Sequence, residues 1–201
     1  MKRASSARGA VATAGRLRIV GGSLRGSKLA VADVEGLRPT PDRVRETLFN
    51  WLMPFVDGAR CLDLYAGTGA LGIEALSRGA AEVDFVERDV RLAQALRENL
   101  ARLKQETAGV RNADALSVLA ESPPHAYDLV FLDPPFALDL WDESARRLEA
   151  NAWLSAHALI YVESPFERPP APPPSWQLHR ENRAGAVRYA LYRRSAKLTR
   201  S

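Results

Sequence analysis

From residue 60 onward, short apolar runs rich in β-branched and aromatic residues alternate with longer segments of helical period. This alternation constrains the fold of the 201-residue chain more than any other feature. Strand candidates lie at 61–65, 83–87, around Val110, at 127–132 and at 158–163. Helix candidates lie between them at 70–78, ended by Gly79, and at 89–103, 115–121 and 140–149. In the second of these, Leu92, Leu96, Leu100 and Leu103 share one face. Strands joined through helices pair in parallel, because a parallel partner is reached only by a crossover, and the helices then cover both faces of the sheet. After the stiff PPAPPP stretch, 176–180 and 187–192 alternate in and out around Asn182-Arg-Ala-Gly185, the pattern of a closing antiparallel hairpin. The predicted fold class is α/β, with a mostly parallel sheet, a C-terminal antiparallel hairpin and an N-terminal β-hairpin extension. No internal repeat is visible.

The extension is read from residues 16–57. Strand candidates at 17–20 and 28–31 flank the glycine-bearing GGSLRGS, a hairpin with a basic loop. Arg38-Pro-Thr-Pro-Asp42 predicts a helix start: Thr40 as cap, Pro41 in the first turn, Asp42 at the positive end of the dipole. Val44, Leu48, Trp51 and Leu52 then fall on one face until Pro54. Residues 1–15 are Ala, Ser, Gly and Arg without period and read as a disordered basic tail. Residues 58–194 form the core, and 195–201 a second tail.

Charge divides the chain in the same way. Residues 1–45 hold ten Lys or Arg against three acids, and 168–201 eight against one, so both ends are +7. With a total of +4, the middle carries −10. Basic ends around an acidic centre fit a polyanion held at the flanks and a neutral or cationic ligand at the centre; solvated tails give the same count. The single Cys61 excludes an internal disulfide and a Cys-based zinc site. The 46% hydrophobic and 26% charged composition is that of a globular chain. There is no apolar run of the ~20 residues that a membrane span needs, and Arg8 and Arg16 interrupt the position of a signal peptide. The expectation is a cytoplasmic monomer without a membrane partner.

Two motifs carry chemistry. In Asp63-Leu-Tyr-Ala-Gly67-Thr-Gly69-Ala-Leu-Gly72, between a strand and a helix, the glycines allow a tight turn against a ligand, and Glu87 at the next strand end can accept a ribose diol. Close helix packing alone would use the same glycines. The pattern fits NAD or S-adenosylmethionine; Asp63 favours the latter, whose amino and sulfonium groups are cationic. Asp133-Pro-Pro-Phe136 follows the strand YDLVFL, at the edge where open α/β sheets place their chemistry. The Asp133 carboxylate and the Pro134 carbonyl can accept both hydrogens of a nucleobase amine. Pro135 adds rigidity, and Phe136 can stack on the base. The competing reading is a turn with a core Phe. His125, His157 and His179 are dispersed without ligand spacing, so no metal is expected. Trp51, Trp141 and Trp153 read as core.

With both motifs in this order, the chain resembles the amino-methyltransferases of nucleic acid bases. RIVGGSLRGSKL at 18–29, RPTPDRVRETLFNWL at 38–52, LDLYAGTGALGIEALSRGA at 62–80, FVERD at 85–89 and DLVFLDPPF at 128–136 are similar to the bacterial 16S rRNA (guanine(966)-N(2))-methyltransferase family. The resemblance runs from about Arg18 to Arg194 and leaves residues 1–15 uncovered. It implies a Rossmann-like class I methyltransferase fold that transfers a methyl group from S-adenosylmethionine to a guanine N2 of 16S rRNA, free or in the 30S subunit or its assembly intermediates. It also implies cofactor contacts at Asp63, Tyr65, Ala66, Gly67, Thr68, Gly69, Glu87, Arg88, Asp114 and Ala115. Asp114 serves equally as a cap for the helix after it. By the same resemblance Arg18, Arg25, Lys28, Arg38 and Arg43 meet RNA phosphates, with a solvated face as the bland alternative. The rivals are a DNA adenine-N6 methyltransferase, for which the basic arm is short, an NAD oxidoreductase, in which DPPF has no purpose, and a non-enzymatic rRNA-binding module.

Overall fold

The computed structural model describes residues 13–34, 37 and 39–195. β1 (Thr13–Arg18) and β2 (Lys28–Ala32) pair antiparallel, Arg18 opposite Lys28. The expected hairpin is present, but its first strand begins at Thr13, within the stretch read as a tail. Pairing accounts for the difference: Gly15 has poor strand propensity, yet Gly15 and Thr13 lie opposite Val31 and Ala32. Residues 1–12 and 196–201, which hold most of the two expected tails, lie outside the described residues.

α1 (Asp42–Leu52) buries Val44, Leu48, Phe49 and Leu52. Its predicted cap is a correction. Pro41 occupies the capping position without a side-chain bond, and the Thr40 hydroxyl instead donates to Glu163 at 2.8 Å. A buried carboxylate offers that hydroxyl a stronger, charge-assisted partner than a helix N–H. Trp51 is only partly buried and stacks on Tyr189 at 5.6 Å, whereas Trp141 and Trp153 are core.

The alternation then appears as β3 (Arg60–Asp63), α2 (Ala70–Ser77), β4 (Glu82–Glu87), α3 (Val90–Arg102), β5 (Ala108–Asn112), α4 (Ala115–Leu119), β6 (Tyr127–Leu132), α5 (Trp141–Ala150) and β7 (Leu154–Pro165). β8 (Trp176–Ala184) and β9 (Val187–Arg194) close the sheet. The strand order is β5-β4-β3-β6-β7-β9-β8. The first five are parallel; β9 runs antiparallel between β7 and β8. Ala184 pairs with Val187, so the hairpin turns at Gly185, φ +61°, and Asn182 and Arg183 belong to β8 rather than to the turn.

Both faces of the sheet are buried, with strict alternation. Cys61, Phe131 and Tyr161 face the cluster formed with α1, α2 and the β1–β2 ribbon, while Leu62, Val130 and Ile160 face α4 and α5. All eight residues of α2 are buried, because the ribbon covers its outer side. Charge is therefore buried with it. Arg45 and Glu74, both fully buried, pair at 2.8 Å, and Glu74 also accepts the Val20 N–H. Arg45 further binds the Thr40 and Arg18 carbonyls and Asp42. One of the ten cations counted in the arm is thus a structural bolt between arm and core, and is withdrawn from any partner.

Candidate active site

Past β3 the chain stays tied to both neighbours. The Leu64 N–H donates to the Phe131 carbonyl at 3.1 Å and the Ala66 N–H to the Val86 carbonyl at 3.0 Å. The turn from Tyr65 to Gly69 is thereby held between the C-terminal ends of β4 and β6. Gly67 and Gly69 have φ of +53° and +73°, where a side chain is strained. A Cβ on Gly69 would lie 2.3 Å from Leu96, and one on Gly72 2.2 Å from Phe85. Both readings of these glycines therefore apply: Gly72 serves helix packing, and Gly67 the turn.

The acids of the motif are fixed by backbone donors. Asp63 accepts the Gly72 N–H at 3.0 Å, Glu87 accepts the Gly67 N–H at 2.8 Å and the Asp89 N–H at 2.6 Å. Each oxygen retains acceptor capacity for a ligand. Asp114 caps α4 through the Ser117 N–H at 2.9 Å, the alternative left open by its position. The Tyr65 hydroxyl shares a hydrogen bond with Ser144 at 2.7 Å. Ala66, Thr68 and Ala115 are buried; Arg88 is exposed beside Glu87.

Asp133 leaves β6 next to this turn. Its carboxylate makes no hydrogen bond to any described residue. The Pro135 carbonyl is taken by the Leu138 N–H at 2.9 Å, in a short 3-10 turn over Phe136–Leu138, while that of Pro134 is free among the described residues. Phe136 is partly buried, tilted at 56° against Trp141 with ring centres 5.6 Å apart. It packs against the core, three residues beyond Asp133.

Four strands bring an acid to this edge: Asp63 and Glu87 end β3 and β4, Asp133 follows β6, and Glu163 stands two residues before the end of β7. Among the described residues none of the four is in an ion pair. Burial pushes Asp63 up to about 7, against the Gly72 N–H, which lowers it; the charge of Glu87 adds to the rise. Asp133 is held well above the ordinary carboxylate range by burial, then by Glu163 and Asp63. Glu87 is raised by burial against its backbone donors, and Glu163 by burial against the Thr40 and Tyr161 hydroxyls. A cationic ligand would relieve this accumulation, so the donor set fits the sulfonium and amino groups of S-adenosylmethionine better than the pyrophosphate of NAD. Sequence reasoning missed Glu163. The signal that finds it is the recurrence itself: LIYVE closes on an acid as VDFVE and YDLVFLD do.

The arm is only partly at this edge. Arg43, exposed, stands at the start of α1 beside Thr40. Arg18 and Arg25 are exposed and share a cleft of about 90 Å³ with Glu46, and Arg18 is 3.9 Å from Asp42. The loop bearing Arg25 binds Ser77, the last residue of α2, and the Lys28 carbonyl binds Arg102, the last of α3. Both helices start at the glycine edge, so Arg25 and Lys28 lie a helix length away from it, roughly 12 to 20 Å. Arg38 lies outside the described residues. The three histidines do not come together in any ligand group among the described residues. The fold gathers His125 with Glu82 and Asp84, ligand atoms within 4.8 Å, at the far end of β4 from Glu87. There Asp84 already accepts the Tyr127 hydroxyl at 2.6 Å. No described helix is long and apolar enough to cross a membrane.

Comparison with known proteins agrees with this geometry. The family model "Conserved hypothetical protein 95" matches residues 17–193. The ribosomal RNA small subunit methyltransferase D of Escherichia coli K12 is 54% identical over 184 residues, 90% of this chain and 92% of that protein. The protein of the same name from Haemophilus influenzae is 48% identical over 182 residues, 89% and 94% of the two chains. A solved putative methyltransferase from Escherichia coli superposes with a TM-score of 0.83 at 52% identity, covering 91% of this chain and all of that one. Likeness of this degree over nearly the whole length has one consequence: the chain belongs to the family of the ribosomal RNA small subunit methyltransferases D.

Proposed function

We propose that the protein transfers a methyl group from S-adenosylmethionine to the exocyclic N2 amine of a guanine in small-subunit rRNA. The observation that carries the reading is the adjacency of Asp133-Pro-Pro-Phe136 to the glycine turn across the ends of β6 and β3, in a setting of unpaired acids. When bound, S-adenosylmethionine supplies an electrophilic methyl. Tyr65, Ala66, Gly67, Thr68 and Gly69 would line it, Glu87 would accept the ribose hydroxyls with Arg88 beside it, Asp63 would face its cationic end, and Asp114 and Ala115 would border the adenine.

The chain's own work is positioning. An exocyclic amine is a poor nucleophile because its lone pair is spread into the ring. Asp133 and the free Pro134 carbonyl accept its two hydrogens and favour the localised lone pair. Pro135 keeps the following backbone rigid, and Phe136 swings from Trp141 or stacks in place on the base, holding the amine in line. Arg18, Arg25, Lys28, Arg38 and Arg43 bind phosphates, with Arg43 near the catalytic edge and Arg25 and Lys28 further along the RNA. No covalent intermediate or metal enters this route.

The test is incubation of naked 16S rRNA, and of 30S particles lacking the modification, with labelled S-adenosylmethionine, followed by mapping of the label. Label on one guanine N2 is expected, and the two substrates show which form is used. Transfer to duplex DNA adenine instead, or binding of NAD in place of S-adenosylmethionine, would overturn the reading.

A further inference from the structure

Glu163 is an acid buried where an apolar residue would be cheaper. It is 6% exposed, two residues before the end of β7. Its Oε1 accepts the Thr40 hydroxyl at 2.8 Å and the Tyr161 hydroxyl at 2.9 Å, and its carbonyl takes the Trp141 indole N–H at 2.6 Å. Leu132 pairs with Val162, so Asp133 and Glu163 follow at adjacent strand ends. They continue the face on which Phe131 and Tyr161 meet at 6.3 Å. The other groups facing this pair are Asp63 from β3, Tyr189 from β9, opposite Glu163 in register, and Thr40 from the segment before α1. Among the described residues, all are acids or hydroxyls. A desolvated carboxylate with hydroxyl donors and no cation among the described residues is retained against a solvation cost, which points to a role for its charge.

We propose that Glu163 is a positioning residue for methyl transfer, forming with the partly buried Asp133 a carboxyl pair that receives the proton shed by the amine, with Thr40 tying that pair to the basic arm. The inference rests on the amine-transfer reading above. Two carboxyls at adjacent strand ends, one buried and one partly buried, do not both ionise freely, so the empty pair keeps a proton. It rests on Asp133, because Glu163 has two hydroxyls to stabilise its charge and Asp133 has none. Binding of a cation beside the pair expels that proton and leaves Asp133 ionised to accept the amine hydrogen.

The amine nitrogen then forms its bond to the methyl carbon as the C–S bond breaks, its electron pair returning to sulfur. The nitrogen, now positive, loses one N–H proton to Asp133, and the pair returns to its singly protonated state. The positive charge brought in as sulfonium thus remains in the site as a proton, and the net charge of the buried edge is unchanged across the step. A second carboxylate keeps Asp133 basic enough to take the proton; alone, a carboxylate of ordinary acidity would release it.

Glu163→Gln retains an oxygen for Thr40 and Tyr161 and deletes the charge. Single-turnover rates on rRNA lacking the modification, with saturating S-adenosylmethionine, should then show an acid limb moved to lower pH by about one unit or more. Glu163→Asp should leave the limb in place. An unmoved limb in Glu163→Gln, whatever the rate, would reduce Glu163 to a packing residue. A measurement free of the variant's folding is infrared difference spectroscopy of the parent against Asp133→Asn without cofactor. A protonated-carboxyl band at neutral pH in the difference between parent and Asp133→Asn, where the contribution of Asp63 to both cancels, and weakened by S-adenosylmethionine, is expected; its absence from that difference overturns the pair. A parent that binds its cofactor but methylates no RNA defeats the proposed substrate, while the infrared band still judges the pair.

Discussion

Asp63 sets stability and ligand binding against each other, and Asp63→Asn separates them. The side chain is 3% exposed, accepts the Gly72 N–H at 3.0 Å, and is pushed by burial from 3.8 up to about 7. A carboxyl raised on folding binds more protons in the native than in the unfolded chain between those two values. Its stabilising contribution is therefore complete below pH 3.8 and is lost as pH rises towards 7. A displacement from 3.8 to about 7 corresponds to about 4 kcal/mol. Asn keeps an oxygen for Gly72 but cannot ionise. The variant should gain on the parent steadily across this window, ending more stable above pH 7 by a few kcal/mol, or roughly 5 to 15 °C in Tm. Urea unfolding of both proteins across the window, without cofactor, isolates the difference; the neighbouring acids contribute a similar slope to both curves. Parallel curves would show that the carboxylate is not burdened by its burial, and the electrostatic case for a cationic ligand at this edge would fall with it. Calorimetry should at the same time show weaker S-adenosylmethionine binding.

Further outcomes follow from other parts of the molecule. Asp133→Ala should abolish transfer with cofactor affinity kept, and Phe136→Ala should weaken base binding by roughly 1 to 3 kcal/mol; near-normal turnover of Asp133→Ala would misplace the catalytic edge. Changing Arg25, Arg38 and Arg43 together to Ala should flatten the slope of log K against log salt for RNA by ~2 to 3 if all three meet phosphate, and leave S-adenosylmethionine affinity unchanged; an unaltered slope would return them to a solvated face. Arg45→Met leaves buried Glu74 with Arg78, 3.5 Å away, as its remaining cation, and should destabilise by up to about 3 kcal/mol, read by denaturant unfolding, whereas the joint Arg45→Met, Glu74→Leu change should recover much of it.

What was legible in the sequence is whatever depends on period and local chemistry. The alternation from residue 60 carried the parallel sheet, because strands of two-sided apolar character and helices with one apolar face have few other ways to bury both. Turn glycines and strand-end acids were legible for the same reason: each is dictated within a few residues, and Gly67, Gly69, Glu87 and Asp133 stand where their motifs placed them. Only the tertiary structure decided which polar groups share an environment. Thr40 has the local marks of a cap, yet a buried carboxylate 123 positions away takes its hydroxyl. Arg45 counts as a surface cation until Glu74 is folded against it, and His125 meets Glu82 and Asp84 only across strand ends. The acidity of Asp63, Asp133 and Glu163 belongs to the same class, since desolvation and like-charge proximity are properties of the space around a group and not of its neighbours in the chain.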